Sequence, residues 1–410
     1  MTLNETNTSP DNGDGNPSAH APGMPVVAVI GDGQLARMMH TEAIELGQSV
    51  RLLAGAADAS AAQVAADVVI GDYTNIDDLR RALKGADVMT FDHEHVPTEH
   101  LRQLISEGVN VQPGPDALVN AQDKLVMRKR LRELGAPVPP FAAIDNVEDA
   151  LAFSEAVDGQ VCLKARRGGY DGHGVWFPEG RDELEELVVK LLDAGTALMA
   201  EKKVALTREL SAMVARTPSG ETAAWPVVES VQRGGVCAEA VAPAPELSPQ
   251  LQDSTRGLAE RIATELGVTG VLAVELFETR DANGQPEIFV NELAMRPHNT
   301  GHWTQDGCVT SQFEQHLRAV LDYPLGSTDT LAGYTVMANV LAADVDPEQP
   351  MARRMAEVWR RYPNAKIHLY GKGFRPGRKI GHVNMVGEDL ATVRAEARAA
   401  ANYLVNATWS

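Results

Sequence analysis

Cysteine is scarce in this chain, and the three residues present are far apart: Cys162, Cys237 and Cys308. No C-x-x-C pair occurs, which argues against a zinc site and against a disulfide framework. No apolar run reaches about 18 residues, and the N-terminus lacks the apolar segment of a signal peptide. We therefore expect a cytoplasmic protein that does not associate with membranes.

Positive charge is also in short supply. Lys and Arg together number 37 against 56 Asp and Glu, which gives a net charge of -19. A chain of this charge is a poor ligand for nucleic acid or an anionic membrane, so we expect neither as a partner. Local clusters of basic residues are correspondingly informative.

The 410 residues, of which 44% are hydrophobic, exceed the usual size of one domain. Apolar runs and turn residues divide the chain into five segments of mixed α/β and α+β class. These are a disordered tail at 1–23, a Rossmann-like domain at 24–120, a linker helix with a small α+β lid at 121–205, a strand-rich domain at 206–330 and a C-terminal α/β domain at 331–410.

Three predicted elements are specific enough to be tested by the fold. They are a strand at Asn110–Gln112, one uninterrupted helix at Asp116–Leu134 and one strand at Thr222–Val228. The helix carries five cations, most of which we interpret as a solvated face: Lys124, Arg128, Lys129, Arg130 and Arg132.

The first motif is G-D-G-Q-L-A at 31–36, which follows a buried strand and opens a helix. It matches the dinucleotide fingerprint, but the next strand runs into Ala54-Gly55 and lacks the acid that would bind a ribose. The pattern favours a phosphate site at a helix N-terminus over NAD binding. A purely structural tight turn is the alternative.

A second polar group, Asp92 to His95, follows another strand of the same domain, at the end where open α/β sheets bind ligands. Four consecutive residues cannot all face one ion, so a metal is the weaker interpretation. One carboxylate that contacts a ligand, Glu94, is the stronger one.

A glycine-rich loop organises the middle of the chain. The strand that ends in Lys164 runs into R-R-G-G-Y-D-G-H-G, and V-W-F returns at 175–177. Glycines let backbone N–H groups approach a ligand closely, and a lysine beside them suits a nucleotide triphosphate. No G-K-[ST] follows, so this is not a Walker loop. The alternative is a plain glycine-rich hairpin.

Two acids lie well inside apolar strands that pair across the turn Asp281 to Gly284. They are Glu275 and Glu292, and Asn291 precedes the second. A buried carboxylate is costly unless it is paired or binds a cation, and oxygen ligands of this kind suit Mg²⁺. Salt bridges at the strand ends are the alternative.

Near the C-terminus, G-K-G-F-R-P-G-R-K at 371–379 places four cations among glycines in an acidic chain. This segment indicates an anion site. A solvated basic turn is the alternative.

These motifs together resemble the ATP-grasp ligases, and more closely the N5-carboxyaminoimidazole ribonucleotide synthetases of purine biosynthesis. The resemblance covers residues 25 to 405 and is carried by G-D-G-Q-L-A-R-M, R-R-G-G-Y-D-G, N-E-L-A-x-R-P-H-N-T-G-H-W-T and R-P-G-R-K-I-G-H-V-N. It implies an ATP-grasp fold with an N-terminal pre-ATP-grasp domain, a mobile lid and a small C-terminal domain.

The resemblance also implies the reaction and the partners. ATP, bicarbonate and 5-aminoimidazole ribonucleotide would yield N5-carboxyaminoimidazole ribonucleotide, ADP and phosphate through carboxyphosphate, with Mg²⁺ or Mn²⁺ as cofactor. It implies a homodimer whose product passes to N5-carboxyaminoimidazole ribonucleotide mutase.

Site residues follow from the same resemblance, position by position. Metal ligands would be Glu275 and Glu292. The ATP site would comprise Lys124, Lys164, Gly169, Gly172, His173, Gly174, Glu201, Lys202, Lys203, Val204, Glu209, Gln232, Asn291 and Glu292. The ribonucleotide would contact Gly33, Gln34, Leu35, Glu94, His298 and Arg378. The catalytic residues would be Tyr170, Asp171, Arg296 and Lys372.

Two positions depart from the family pattern. His173 stands where the family often has arginine, so a cation is present there only when the imidazole is protonated. Lys124 stands where some members have arginine, which keeps the charge but loses the bidentate fork.

Four other functions compete with this interpretation. A formate-dependent glycinamide ribonucleotide transformylase shares the architecture but is disfavoured by the R-P-G-R-K and R-G-G-Y-D-G motifs. A dinucleotide-dependent oxidoreductase leaves Glu275 and Glu292 unexplained. A non-catalytic nucleotide-binding module needs no second anion site, and a biotin carboxylase would be longer and need a carrier partner.

Overall fold

The computed structural model describes residues 16–169 and 173–409. Contacts divide the chain into two compact units, with the boundary between Gln112 and Pro113. Three residues of the glycine-rich loop, Tyr170, Asp171 and Gly172, lie outside the described residues. In the part of the chain that is described, no helix is long and apolar enough to cross a membrane.

The first unit is built on a parallel four-stranded sheet in the order β3-β2-β1-β4. The strands are β1 (Val27–Ile30), β2 (Arg51–Ala54), β3 (Asp67–Ile70) and β4 (Val88–Phe91), and the helices are α1 (Gln34–Glu45), α2 (Ile76–Leu83) and α3 (Thr98–Ser106). All residues of β1, β2 and β4 are buried, as parallel strands covered on both faces require. The Rossmann-like prediction is confirmed.

Residues 16–23, which were predicted to belong to a disordered tail, include ordered structure. A 3₁₀ turn forms at Pro17–Ala19, and the residues around it contact Asp67 at the start of β3. The Asn16 N–H donates to Asp67 Oδ1 at 2.7 Å, and His20 Nε2 lies 2.7 Å from Asp67 Oδ2. Arg51 Nε donates to the same oxygen at 2.7 Å. A buried carboxylate with three partners therefore holds this segment in place.

The second unit begins with two helices, and two more helices accompany a small antiparallel sheet in the order β5-β8-β6-β7. The helices are α4 (Pro115–Gln122), α5 (Lys124–Glu133), α6 (Val147–Ala156) and α7 (Arg181–Asp193). The strands are β5 (Phe141–Ile144), β6 (Val161–Ala165), β7 (Val175–Trp176) and β8 (Leu198–Lys202). This is the predicted α+β segment, with the glycine-rich loop between β6 and its partner β7.

A nine-stranded antiparallel sheet forms the rest of the second unit. Its main order is β14-β13-β9-β11-β12-β15-β17-β16, and β10 pairs with β9. The strands are β9 (Arg208–Arg216), β10 (Thr222–Ala224), β11 (Val228–Arg233), β12 (Val236–Ala242), β13 (Gly270–Arg280), β14 (Pro286–Ala294), β15 (Tyr334–Leu341), β16 (Lys366–Leu369) and β17 (Lys379–Gly387). The helices are α8 (Pro249–Glu265), α9 (Thr304–Gly307), α10 (Gln312–Val320), α11 (Met351–Arg361) and α12 (Leu390–Asn406).

This sheet runs through the predicted boundary between 206–330 and 331–410. Strand β12 pairs with β15 from Glu239↔Ala338 to Ala242↔Thr335, so the hydrogen-bond ladder is continuous across it. The C-terminal residues still bring their own core, in which α12 packs on β15 and β17. They therefore form a C-terminal lobe with its own core, built on strands that continue the sheet of the preceding segment.

The predicted helix Asp116–Leu134 is two helices. Asp123 has extended backbone angles, and its carboxylate accepts the N–H groups of Leu125 and Val126 at the start of α5. An N-cap of this kind satisfies the first backbone donors of a new helix. Because of this break, α5, which carries Lys124 and Arg128, is a separate helix from α4.

Two predicted strands are also wrong. The segment Thr222–Val228 is interrupted after Ala224, because Pro226 has no N–H to continue a ladder. Asn110–Gln112 forms only an isolated bridge from Val111 to Met89. Strand β12 was missed, although Gly234 and Gly235, both at positive φ, are a strong hairpin signal between β11 and β12.

Candidate active site

Most of the predicted nucleotide and metal residues line one cavity of the second unit. Its volume is about 450 Å³, within the range of small-molecule sites. The predicted residues on its walls are Lys124, Lys164, Glu201, Lys202, Lys203, Val204, Glu209, Gln232, Glu275, Asn291, Glu292 and His298. Seven elements, from α5 to β14, bring these side chains together.

A buried charge cluster forms the floor of this cavity. Glu201 accepts from Lys164 Nζ at 2.7 Å and from Arg128 Nε at 2.5 Å. Burial raises the pKa of Glu201, but the two cations outweigh it and lower the pKa to about 2. The carboxylate therefore stays ionised and fixes the position of Lys164.

The carboxylate of Glu201 is occupied by Lys164 and Arg128. The predicted adenine hinge, formed by Glu201, Lys202 and Val204, lies on the cavity wall together with Lys203 and stays a prediction. The Lys202 N–H donates to Pro140 O and the Lys203 N–H to Gln160 O, both at 2.8 Å, which anchors this segment.

The two predicted metal acids face each other across the β13–β14 ladder, where Glu275 pairs with Glu292. The register then shifts, because Leu276 pairs with Val290 and Asn291 is left over as a β-bulge. The bulge brings the consecutive side chains of Asn291 and Glu292 to the same cavity. The Asn291 carbonyl accepts from Arg128 at 2.7 Å.

Each acid already has a cationic or hydrogen-bonding partner. Lys124 Nζ lies 2.6 Å from Glu292 Oε1, and His298 Nε2 lies 3.1 Å from Glu275 Oε1. Burial raises the pKa of Glu275, but His298, Lys124 and Arg296 together lower it. The carboxylate of Glu275 is thus ready to act as an anion.

The donor set fits Mg²⁺. Glu275, Glu292 and the Asn291 amide supply only oxygen ligands, which hard cations prefer. Among residues 16–169 and 173–409, no group of three or more His, Cys, Asp or Glu side chains could hold a metal. That agrees with the usual Mg²⁺ arrangement, in which one or two carboxylates act together with substrate phosphates.

Glu209 on β9 is the third acid of the cavity. Burial, followed by the charge of Glu275, raises the pKa of Glu209 to about 7, although a hydrogen bond with Gln232 opposes the shift. This carboxyl is therefore partly protonated at neutral pH. In its ionised form both oxygens can accept hydrogen bonds from vicinal hydroxyls, whereas protonation turns one of the two oxygens into a donor.

The predicted polar loop Arg296 to Trp303 presents His298 to the cavity. The His298 Nδ1 accepts from the Thr300 N–H at 3.4 Å and lies 2.9 Å from Thr300 Oγ1. Nε2 therefore carries the proton and points at Glu275. Arg296 is half-buried and is not among the described residues that line the cavity.

The root of the glycine-rich loop is tied to the N-terminus of α5. The Lys124 N–H donates to Arg166 O at 2.9 Å, and Asp123 pairs with Arg166 at 2.8 Å and with Arg167 at 3.3 Å. At Gly169, any Cβ would come within 2.7 Å of His173 O. His173 is exposed, and neither it nor Gly174 lines the cavity. The predicted roles of Tyr170, Asp171 and Gly172 lie outside the described residues.

In the first unit, the G-D-G turn is shaped by Asp92. The Gly33 N–H, at the N-cap of α1, donates to Asp92 Oδ2 at 2.6 Å. A Cβ on Gly31, which has φ +127, would lie 1.7 Å from Asp92 Oδ1. Glycine is thus required at position 31 because the Asp92 carboxylate lies against it, which is what the tight-turn alternative predicts. The Gly33 N–H already has Asp92 as its hydrogen-bond partner. Gln34, buried Leu35 and half-buried Glu94 keep their predicted roles as predictions.

In the basic segment, the cation that reaches the cavity is Lys379, which the sequence analysis did not select. Lys372 Nζ lies 5.7 Å above the ring of Tyr370, and Arg378 donates to Gly373 O at 3.1 Å. Neither is among the cavity residues. Lys379 follows Arg378 directly and begins β17, and this position is the signal that could have identified it.

Other residues on the cavity wall were also missed: Cys162, Val175, Phe177, Leu206, Gly235, Cys237, Phe277 and Asn299. Cys162 was detectable, because it lies two residues before Lys164 on β6 and shares its face. Gly235 and Cys237 were not, since neither the turn before β12 nor β12 itself was predicted. Arg128 was grouped with solvated cations, yet it is 0% exposed.

Comparison with known proteins finds three family models that match successive parts of this chain. The family models that match are the ribonucleotide synthetase pre-ATP-grasp domain at 24–122, the ATP-grasp domain at 129–313 and the phosphoribosylaminoimidazole carboxylase C-terminal domain at 335–396.

Among curated relatives, the N5-carboxyaminoimidazole ribonucleotide synthase of Corynebacterium ammoniagenes is 67% identical over 402 residues, which cover 97% of this chain and 96% of that protein. Among solved structures, the N5-carboxyaminoimidazole ribonucleotide synthetase of Thermus thermophilus is 36% identical with a TM-score of 0.81, covering 93% and 98% of the two chains. The Aspergillus clavatus synthase, in complex with ADP and 5-aminoimidazole ribonucleotide, is 29% identical with a TM-score of 0.82, covering 94% and 99%.

Proposed function

This chain belongs to the N5-carboxyaminoimidazole ribonucleotide synthase family of ATP-grasp ligases, and on that premise we propose how its own residues carry out the family reaction. The enzyme is an ATP-dependent ligase. It joins bicarbonate to the amine of 5-aminoimidazole ribonucleotide, with ATP cleaved to ADP and phosphate, in purine biosynthesis.

The chemistry explains the need for ATP. Bicarbonate is a poor electrophile without a good leaving group. Transfer of the γ-phosphoryl group to a bicarbonate oxygen gives carboxyphosphate. The amine then forms the new C–N bond, either with carboxyphosphate or with CO₂ released from it, as phosphate departs and the amine loses a proton. Phosphoryl transfer itself depends on positioning and charge neutralisation.

Lys164 is placed to bind the phosphates. Its ammonium is held by Glu201 at 2.7 Å and lies 3.3 Å from Asn291 Oδ1, so its direction is fixed before ATP arrives. A preorganised charge stabilises a transition state without a reorganisation cost. Lys202, Lys203 and Val204 would hold the adenine, and Glu209 would accept the ribose hydroxyls.

Glu275 and Glu292 would hold Mg²⁺, with Asn291 beside them. When bound, the ion supplies charge neutralisation between the phosphate groups. Lys124 pairs with Glu292 at 2.6 Å, which places a second cation at the same point. The cavity walls around these residues limit water, which would otherwise hydrolyse an acyl phosphate.

The carboxylation half-reaction falls to the predicted substrate residues. We propose that His298 and Arg296 lie beside the ribose and aminoimidazole of the ribonucleotide and that Lys372 and Arg378 bind its phosphate. From the family resemblance we also propose ribonucleotide contacts for Gly33, Gln34, Leu35, Glu94, Tyr170 and Asp171. A homodimer and transfer of the product to a mutase are further proposals drawn from the family.

One observation carries this proposal: Lys164, the paired acids Glu275 and Glu292, and the hinge residues line a single cavity. The decisive experiment measures phosphate release from ATP with each substrate omitted in turn. We expect release that requires both bicarbonate and 5-aminoimidazole ribonucleotide. Release that instead requires formate and glycinamide ribonucleotide would favour the transformylase and contradict the proposal.

A further inference from the structure

The side chain of Gln312, on the first turn of α10, makes three hydrogen bonds with the loop that carries His298. Its Oε1 accepts from the His298 N–H at 2.7 Å. Its Nε2 donates to the His298 carbonyl at 2.8 Å and to His302 Nδ1 at 2.9 Å. The residue is 0% exposed, so these bonds do not compete with water.

The geometry leaves only one orientation for this amide. The His298 N–H can only donate and the His298 carbonyl can only accept, so Oε1 and Nε2 cannot be exchanged. The second Nε2 hydrogen then requires an acceptor at His302 Nδ1. Burial lowers the pKa of His302 well below its usual value, so this imidazole is neutral and can accept. Every polar atom of the Gln312 amide is thus engaged.

The backbone of the loop is shaped around this contact. At Gly301, a Cβ would lie 2.5 Å from Gln312 Oε1 and 2.4 Å from Met213 Cε. Only glycine lets the loop pass between these two side chains. The Gln312 N–H also donates to Thr304 Oγ1 at 2.8 Å, which ties the helix start to the end of the loop.

We propose that Gln312 is a positioning residue for the carboxylation, because its amide fixes the His298 backbone from both sides and so aims the imidazole at Glu275. This inference rests on the function proposed above. The Gln312 side chain reaches the reaction only through His298, whose Nε2 lies 3.1 Å from Glu275 Oε1. Supporting contacts of this kind typically change activity by about 10- to 100-fold when removed.

The same helix provides a matched control. Gln315 is also 0% exposed, and its amide holds the backbone of Gly326 in the same two-sided manner. Gln315 Nε2 donates to Gly326 O at 2.8 Å, and the Gly326 N–H donates to Gln315 Oε1 at 2.7 Å. Gly326 does not line the cavity. A change at Gln315 therefore reproduces the structural damage without touching His298.

The experiment compares Gln312→Glu with Gln315→Glu in the full chain. Each change keeps the acceptor and removes the donor to a backbone carbonyl, so we expect similar falls in Tm. In Gln312→Glu, kcat for phosphate release with all substrates present should fall at least about tenfold. In Gln315→Glu it should stay within about twofold of the wild type.

Binding of ATP provides the second readout. Because Lys164 and the residues Lys202 to Val204 make no hydrogen bond or ion pair with Gln312, both variants should still bind MgATP. Any change in the KM for ATP or in the Tm increase on adding MgATP, which could arise only through the His298–Glu275 contact, should be much smaller than the fall in kcat. If a glutamate variant does not fold, Gln312→Asn and Gln315→Asn replace the pair, since the shorter amide keeps its chemistry but cannot span His298. The same difference in kcat is expected.

Equal kcat values in the two variants, with normal turnover by the wild type, would overturn the positioning role and leave the proposed function intact. Loss of MgATP binding in Gln312→Glu alone would also overturn it, because the amide would then support the nucleotide site. If the wild type shows no release that depends on the ribonucleotide, the proposed function itself fails and the inference fails with it.

Discussion

Glu275 and Glu292 are direct cross-strand partners on β13 and β14, and each carboxylate is held by a different basic side chain. Lys124 contacts Glu292 at 2.6 Å and His298 contacts Glu275 at 3.1 Å. Two like charges side by side would repel in a half-buried site. The two basic partners offset that repulsion and keep both acids directed into the cavity.

The first prediction concerns Glu292. Replacing it with Gln keeps the shape but removes the charge that pairs with Lys124 and that we propose to bind Mg²⁺. We expect Mg²⁺-dependent ATP turnover to be abolished while Tm changes little. Glu287→Gln is the control, since Glu287 is an exposed acid on the same strand. Turnover in Glu292→Gln within about threefold of wild type would refute the metal assignment, because loss of a phosphate-bridging charge should cost far more.

The second prediction concerns the stability supplied by Glu201. Glu201→Gln leaves Arg128 and Lys164 buried without their anion. Breaking a buried ion pair in this way typically costs about 3–5 kcal/mol, so the free energy of unfolding in urea should fall by that order. Glu133→Gln, which removes the exposed pair with Arg130, should have almost no effect.

The acid stability of the protein tests the same cluster. Because the pKa of Glu201 is lowered to about 2 from 4.5, the folded state binds fewer protons than the unfolded state between those values. The contribution of Glu201 is full above pH 4.5 and is lost as the pH falls toward 2. The wild type should therefore lose more stability than Glu201→Gln across that window. Parallel curves would contradict the ionised assignment.

The third prediction concerns Glu209, whose pKa is raised to about 7. If its carboxylate accepts the ribose hydroxyls, ATP must bind to the ionised form. Affinity for ATP should then increase as the pH rises from 6 through 7 to 8. Isothermal titration of wild type and Glu209→Gln separates this effect from ionisation of the phosphates, which both proteins share. Identical pH dependence in the two would exclude the ribose contact.

The fourth prediction concerns the basic segment near the C-terminus. Lys372→Ala and Arg378→Ala should each raise the KM for the ribonucleotide strongly and leave the KM for ATP nearly unchanged. A buried charge contact of this type is worth roughly 2–5 kcal/mol. Arg353→Ala, an exposed cation on α11, controls for the change in net charge. A selective rise in the KM for ATP would show that the segment was assigned to the wrong substrate.

Much of the fold could be predicted from local patterns. The hairpin of β13 and β14 was marked by Asp281 to Gly284, and the acids on it stood out because they interrupt apolar strands. Lys164 was identified by the glycines that follow it. Each of these signals is contained within about ten neighbouring residues, so a single sequence is sufficient to read it.

What could not be predicted depends on partners that are distant in sequence. Arg128 looks like its solvated neighbours until β8 supplies Glu201, 73 positions away. The need for glycine at position 31 is clear only once Asp92, the residue after β4, is known to lie against it. The break at Asp123 is clear only once Arg166 and Arg167 are known to share its carboxylate. Burial and pairing of this kind are tertiary facts that propensity does not encode.

The bulge at Asn291 has a consequence for how this strand tolerates change in length. Buried side chains fall at Ile288 and Val290 and resume at Leu293 and Met295, so the alternation would be regular if Asn291 were absent. The residue is in effect a one-position insertion in an ordinary β-strand, with its carbonyl capped by Arg128. Deleting Asn291 should therefore leave the buried side chains on the core face and keep Glu275 paired with Glu292, with loss of the Asn291 amide alone. Deleting Val290 or Leu293 would instead move the buried side chains of β14 to the opposite face of the sheet.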